Sequence, residues 1–217
     1  MTVVVVSTHL DDAVLSCWSV VAGDDGGDVA VATVFTAAPD DPRLVTAWDR
    51  DSGLTSKARM AGRIEENRAA LALAGRAPTD LGSLEAQYGG GSIDATVLAQ
   101  CLGDAELVYV PAGIGAPGGR VHPDHAAVRD ACLTIRPDAR LYADQPYCLF
   151  RTGLELPAGL RERYGEADEV LLTPAQRERK AQAIALYAGE IPKLDRAYGM
   201  CLTDPDTIVR ETLWHPR

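Results

Sequence analysis

The first forty residues alternate between apolar runs and polar turns. Residues 3–6 are all apolar and β-branched, which is typical of a central parallel strand covered on both faces. A polar turn at 7–12 precedes an apolar stretch at 13–22 that predicts a helix, and residues 29–35 predict a second strand. Strand, turn, helix and strand in this order predict the βαβ unit of a doubly wound sheet.

The rest of the chain continues this alternation. Further helices are predicted at 57–74, 93–102, 124–135 and 174–187, and further strands at 107–111 and 140–143. The long segment 36–56 and the Gly-rich segment 112–121 predict loops. The pattern contains no repeat and no linker. We therefore expect a single domain over residues 1–217, with a three-layer α/β/α Rossmann-like fold and a mostly parallel sheet.

Composition and charge narrow the range of partners. The 217 residues carry a formal net charge of −10, and nucleic acids and anionic membranes are bound by basic faces. We therefore expect neither nucleic acid nor membrane as a partner. No apolar stretch approaches the ~20 residues of a membrane helix, and no basic segment marks a signal peptide. Five cysteines without a CxxC pair predict reduced thiols and a cytoplasmic protein. The pattern makes no prediction about oligomeric state.

Two short polar clusters contain three of the four histidines. The clusters are His9-Leu10-Asp11-Asp12 and His122-Pro123-Asp124-His125. Each follows a predicted strand, and ligands of open α/β sheets bind beyond the carboxyl ends of the strands. Aspartate at a helix start is often only an N-cap. Two clusters that share the histidines at equivalent strand ends argue against that interpretation, and we expect them to form one site.

This set of side chains favours a hydrolytic metal centre. Two histidines and one aspartate bind a divalent ion and leave a position open for water, as catalytic zinc sites do. Such an ion lowers the pKa of water toward ~7. Fe²⁺ is bound by a similar ligand set, so Fe²⁺ or another divalent ion stays open as an alternative. The leftover carboxylate and imidazole would serve as a base and as a charge stabiliser or proton donor, which favours redox-inert zinc.

The two clusters resemble the motifs of the PIG-L/LmbE-like zinc-dependent N-deacetylases. In that family a His-Pro-Asp-Asp segment follows the first strand, and a His-x-Asp-His segment comes later. The resemblance implies a zinc ligand set of His9, Asp12 and His125. It also implies Asp11 as the general base and His122 as a protonated imidazole that faces the oxyanion or the leaving amine. Asp124 would orient His122, a supporting role.

The resemblance extends over nearly the whole chain, with two departures. Arg63 begins a segment similar to the family's Arg-x-x-Glu helix, which implies a substrate-binding arginine. Segments 141–147 and 180–187 are similar to an actinobacterial-type branch. Leu10 stands where the family has proline, and we expect metal binding to survive because no ligand is lost. Glycines follow Tyr88 where many relatives have arginine, so we expect one substrate contact to be absent.

The function implied is removal of an N-acetyl or other N-acyl group from an amino sugar, glycoconjugate or secondary metabolite. The expected partner is therefore a small N-acylated molecule. Two alternatives stay open: a metal-dependent hydratase on the same fold, and a non-catalytic partner protein in a biosynthetic pathway. Release of acetate and amine distinguishes the hydrolase from the hydratase, and turnover of any N-acyl compound argues against the non-catalytic protein.

Overall fold

The computed structural model describes residues 1–23, 27–115, 121–150 and 154–217. The strands are β1 (Thr2–Ser7), β2 (Asp28–Phe35), β3 (Pro78–Ser83), β4 (Leu107–Pro111), β5 (Arg140–Tyr142), β6 (Asp168–Leu171) and β7 (Arg210–Trp214). The helices are α1 (Asp12–Ser16), α2 (Trp18–Val21), α3 (Ser56–Ala72), α4 (Ala95–Leu102), α5 (Pro123–Ile135), α6 (Ala158–Arg161), α7 (Pro174–Ala185) and α8 (Ile191–Tyr198). Part of the predicted Gly-rich loop, residues 116–120, lies outside the described residues. No helix in the described ranges combines the length and apolar composition needed to cross a membrane.

The strands form one sheet with the order β3-β2-β1-β4-β5-β7-β6. The five strands from β3 to β5 are parallel, and β7 pairs antiparallel with β5 and β6. Alternate residues of β1 enter separate cores: Val4 and Val6 pack with α4 and α5, whereas Val3 and Val5 pack with α1, α2, α3 and α7. The predicted three-layer, mostly parallel fold is confirmed.

The sheet also determines where a ligand can bind. β1 lies between β2 on one side and β4 on the other, so the chain changes direction across the sheet at this strand. A crevice forms at such a switch point, beyond the carboxyl ends of the two central strands. Both polar clusters follow these strands in the chain, because His9 follows β1 and His122 precedes α5 after β4.

The helix predicted at 13–22 is wrong as one element, since it is divided at Cys17 into α1 and α2. The cause is a carboxylate from β7. Glu211 accepts hydrogen bonds from the backbone amides of Trp18 (2.8 Å) and Ser19 (2.9 Å). These amides are the unpaired donors of a helix start, so Glu211 begins a new helix at α2. The sequence pattern also missed β3, β6, β7, α6 and α8.

A buried ion pair connects α7 to the same carboxylate. Lys180 Nζ lies 2.7 Å from Glu211 Oε1, and both side chains are fully buried. Lys180 also donates to Gln145 Oε1 at 3.4 Å. One lysine therefore links α7, β7 and the segment that follows β5.

Replacing Lys180 should destabilise the protein strongly. Lys180→Met leaves a buried carboxylate without its cation, and breaking such a pair costs about 3–5 kcal/mol of unfolding free energy. Lys57→Met is the matched control, because Lys57 is an exposed lysine on α3 and its replacement should change stability by about 0.5 kcal/mol or less. Urea denaturation measures both. Equal stabilities of the two variants would contradict the structural importance of the pair.

Candidate metal centre

The turn after β1 is held by its own polar side chains. Ser7 donates to the carbonyl oxygen of His9 (2.6 Å) and accepts from the amide of Ala13 (3.0 Å). The amide of His9 donates to Asp12 Oδ2 at 2.7 Å. These bonds close the turn around the first cluster and position its side chains without a proline.

The two departures from the family motifs have local explanations. Leu10 is buried in a small apolar cluster with Met60 and Tyr88. This packing holds the turn in place where the family has the rigid ring of a proline. Near Tyr88, a Cβ atom on Gly90 would lie 2.2 Å from the carbonyl oxygen of Leu84. No side chain fits at position 90 unless the backbone moves. Gly89, the residue directly after Tyr88, has a φ of +87°, a conformation that an arginine would adopt only with strain.

Three predicted ligands meet at the crevice. His9 Nδ1 and His125 Nε2 each lie 3.5 Å from Asp12 Oδ2. His9, Asp12 and His125 form one of the groups whose ligand atoms lie close enough to hold a metal ion. Ligand atoms at zinc bond lengths of ~2.0–2.1 Å in a tetrahedron are roughly 3.4 Å apart. Both separations from Asp12 Oδ2 fit such an ion.

Each ligand histidine is fixed by a carboxylate on its other nitrogen. His9 Nε2 lies 3.1 Å from Asp124 Oδ2, and His125 Nδ1 lies 2.6 Å from Asp144 Oδ1. Asp144 also accepts from the amide of Ile114 at 2.8 Å. Carboxylates in this position set the tautomer and direction of metal-binding imidazoles. The expectation that Asp124 orients His122 differs from the structure, because the Asp124 carboxylate contacts His9 instead.

His122 also differs from its expected state. Its Nδ1 accepts from the backbone amide of Asp124 (3.3 Å) as the N-cap of α5. Burial, together with the positive charges of His9 and His125, lowers the pKa of His122 to about 4. The imidazole is therefore neutral at neutral pH, and its proton is on Nε2, because a neutral ring that accepts at Nδ1 must donate at the other nitrogen. This neutral state differs from the protonated imidazole that the family resemblance implies.

Asp11 is the free carboxylate of the site. It lines the cavity together with His9 and Asp12, two of the three predicted ligands. Among the described residues, no group donates a hydrogen bond to its side chain. Burial and the charge of Asp12 raise the pKa of Asp11 to about 6, although Arg63 opposes the shift. A carboxylate with such a pKa accepts a proton more readily than an ordinary aspartate.

The electrostatics of the ligand set also suit a cation. Although burial opposes the charged forms, the carboxylates of Asp12 and Asp144 raise the pKa of His125, and those of Asp12 and Asp124 raise that of His9. Without a metal ion, these carboxylates therefore favour the protonated, positively charged form of the two imidazoles. A divalent ion supplies the same charge and uses the lone pairs of the neutral rings, so the residues fit a metal ion.

The cavity has a volume of about 410 Å³ and includes Arg63 in its lining. Arg63 is buried, and its Nη1 donates to Glu85 Oε1 at 2.6 Å. Its Nε lies 3.6 Å from Glu190 Oε1. The charge of Arg63 is thus already paired with two carboxylates of the chain. A substrate contact for Arg63 stays a prediction.

Sequence reasoning missed several residues around this cavity. Asp144 had a usable signal, since it follows β5 at the same edge of the sheet as the two clusters. Glu85 follows β3, a largely exposed strand whose sequence has no apolar alternation. Glu190 precedes α8, which was not predicted, and therefore had no signal of position.

No protein-family model and no curated protein matches the chain, but solved structures do. One is the zinc-inhibited form of teicoplanin deacetylase Orf2, at 28% identity over 100% of this chain and 97% of that chain, with a TM-score of 0.80. Another is the A40926 pseudoaglycone deacetylase Dbv21, at 30% identity over 99% and 96% of the two chains, with a TM-score of 0.79.

A more distant match shows the fold alone. It is the 4-carboxy-2-hydroxymuconate hydratase GalB of Pseudomonas putida KT2440, at 17% identity over 99% and 95% of the two chains, with a TM-score of 0.58. The fold and the candidate metal site of His9, Asp12 and His125 are those of an α/β protein of the metal-dependent hydrolase type. The full-length identity with Dbv21 identifies the family: the chain belongs to the PIG-L/LmbE-like deacetylases.

Proposed function

We propose that this protein is a zinc-dependent N-deacetylase that removes an acetyl or longer acyl group from an amino sugar of a glycoconjugate or secondary metabolite. The observation that carries the proposal is the pair of carboxylate-fixed histidines that point at Asp12 beside a free carboxylate, Asp11. This arrangement lies in a cavity of about 410 Å³, which is large enough for a small molecule.

The substrate class is supported by the solved relatives. Structures of the teicoplanin enzyme include a complex with teicoplanin, at 27% identity over 100% and 98% of the two chains and a TM-score of 0.76. Dbv21 acts on a pseudoaglycone. Both relatives are deacetylases of secondary metabolites. The proposed partner of this chain is likewise a small N-acylated molecule.

The residues divide the proposed reaction between them. His9, Asp12 and His125 would hold the metal ion, which supplies Lewis-acid chemistry and makes water nucleophilic at neutral pH. Asp11 accepts the proton of the attacking water. His122 donates a hydrogen bond from Nε2 to the amide oxygen as negative charge develops there. The C–O bond forms, the C–N bond breaks, and the proton taken by Asp11 passes to the leaving nitrogen.

Metal identity belongs to the same proposal. Two imidazoles and a carboxylate suit zinc, and they also accept Fe²⁺. Because Orf2 has been solved in a zinc-inhibited form, assays are best made at one equivalent of zinc per chain and then with excess zinc. Metal analysis of the purified protein identifies the resident ion.

We also propose a cytoplasmic location. All five cysteines are free. Three of them, Cys17, Cys132 and Cys148, are buried, where burial raises the thiol pKa and keeps the groups unreactive. Unpaired thiols are typical of proteins in a reducing compartment.

Neutralising Asp11 should separate metal binding from turnover. Asp11→Asn keeps the shape of the side chain but accepts no proton, so kcat should fall by about 10²–10⁴-fold while one zinc ion per chain is retained. Asp12→Asn is the matched comparison and should lose the metal. Acetate release and metal content are measured on both. Full activity of Asp11→Asn would disprove the assignment of the base.

Removing the carboxylate behind His125 should weaken the metal site. Asp144→Asn no longer holds the imidazole by a charged hydrogen bond, and the loss of such a supporting carboxylate weakens metal affinity by about 10–100-fold. Asp130→Asn, an exposed change on α5, should leave affinity unchanged. Competition with a chelator measures both dissociation constants. Wild-type affinity in Asp144→Asn would show that the contact does not support the metal.

A product assay tests the reaction class directly. The zinc-loaded protein is incubated with N-acetylated amino sugars and their glycosides, and acetate and free amine are both quantified. A deacetylase should release the two products in equal amounts. Hydration of an unsaturated acid without release of either product would identify a hydratase instead. One bound zinc ion per chain, without turnover of any N-acyl compound, would support the non-catalytic alternative.

A further inference from the structure

Trp48 lies in the loop between β2 and α3 and lines the cavity. It is 38% exposed, whereas Trp18 and Trp214 are buried in the core at 0% and 2% exposure. Trp48 therefore keeps a large apolar surface at the place where a substrate must bind.

The indole ring is held in a fixed position. Its Nε1 donates to Glu190 Oε2 at 2.7 Å. Lys193 Nζ lies over the ring, 5.2 Å from the centroid, and donates to the Trp48 carbonyl oxygen at 2.8 Å. Glu190 thus holds one edge of the ring and Lys193 covers one face. The ring surface that remains for the cavity is rigid, which reduces the entropy lost on binding.

The loop itself does not need the indole as an anchor. Asp49, the next residue, is fully buried and accepts hydrogen bonds from the hydroxyls of Tyr88 and Thr46, each at 3.0 Å. These bonds fix the backbone beside Trp48 independently of its ring. The exposed aromatic surface is therefore available for binding.

We infer that Trp48 is a specificity-determining residue that packs against the C–H face of a sugar ring in the substrate. This inference rests on the proposed deacetylase function. A pyranose ring has an apolar face of C–H groups and a rim of hydroxyls. The same cavity contains a planar aromatic ring and the carboxylates of Glu85 and Glu190. Each of their oxygens accepts one hydrogen bond within the chain and keeps a second lone pair for a hydroxyl. Aromatic surface and hydrogen-bonding side chains together match that face and rim, and an acyclic N-acyl amine lacks the ring face.

The test compares a cyclic with an acyclic substrate. Zinc-loaded wild-type protein, Trp48→Ala, Trp48→Phe and Val45→Ala are assayed on the methyl glycoside of N-acetylglucosamine and on N-acetylethanolamine. Val45 is the matched control, because it is exposed in the same loop and does not line the cavity. Trp48→Ala should raise KM for the glycoside about tenfold, the effect of losing one stacked ring, with little change for the acyclic amide.

Trp48→Phe distinguishes packing from anchoring. Phenylalanine keeps an aromatic face but loses the N–H group that contacts Glu190, so KM for the glycoside should stay within about threefold of the wild type. A defect as large as that of Trp48→Ala would overturn the inference in favour of a positioning role. An unchanged KM for the glycoside in Trp48→Ala would also overturn it. Thermal melting of each variant confirms that it is folded.

Tryptophan emission separates this inference from the proposed reaction. Because Trp18 and Trp214 are buried, Trp48 should dominate the fluorescence change when glucosamine or the methyl glycoside is added, and Trp48→Phe should lose that change. Saturable quenching without turnover would reject the deacetylase function but support sugar binding at Trp48. Turnover without any Trp48-dependent quenching would reject the sugar contact and leave the deacetylase function standing.

Discussion

A carboxylate on the outer nitrogen of each of the two predicted ligand histidines is the constraint on which the candidate site depends. Asp124 holds His9 and Asp144 holds His125. Because an imidazole has only two nitrogens, engaging one of them directs the other toward Asp12. The four partners come from the ends of β1 and β5 and from α5. The order β1-β4-β5 in the sheet is thus what makes a shared centre possible.

Charge is balanced in two different ways around the cavity. On α3, Arg59 and Arg63 match the carboxylates of Glu190 and Glu85, so the chain supplies its own positive charge. Around Asp12 it supplies only imidazoles, whose charge depends on protonation. A metal ion completes the balance at this second place. Arg63, which resembles the family's substrate-binding arginine, is thus buried in ion pairs within the chain. The predicted metal ligands around Asp12, in contrast, favour a cation taken from solution.

Sequence alone predicted the frame of the fold and the position of the chemistry. The β-branched run of β1 and the histidine-rich clusters were sufficient for this prediction. A cluster that follows a parallel strand in the chain must lie near the carboxyl end of that strand. The break at Cys17 was not predictable, because it depends on Glu211, distant in sequence. Asp124 is another such residue: the family resemblance implied His122 as its partner, but its carboxylate contacts His9. Local patterns identify residue types, whereas long-range packing decides which of them touch.

Glu211 has a consequence for how the protein forms. It lies 193 residues after Trp18, the residue whose amide it accepts. Translation at about 5–20 residues per second puts roughly 10–40 s between the synthesis of the two. During that interval α2, which follows the first cluster and α1, lacks its cap. The start of α2 can therefore be completed only late in synthesis, by a contact between distant parts of the chain. Folding that depends on such distant contacts is slow.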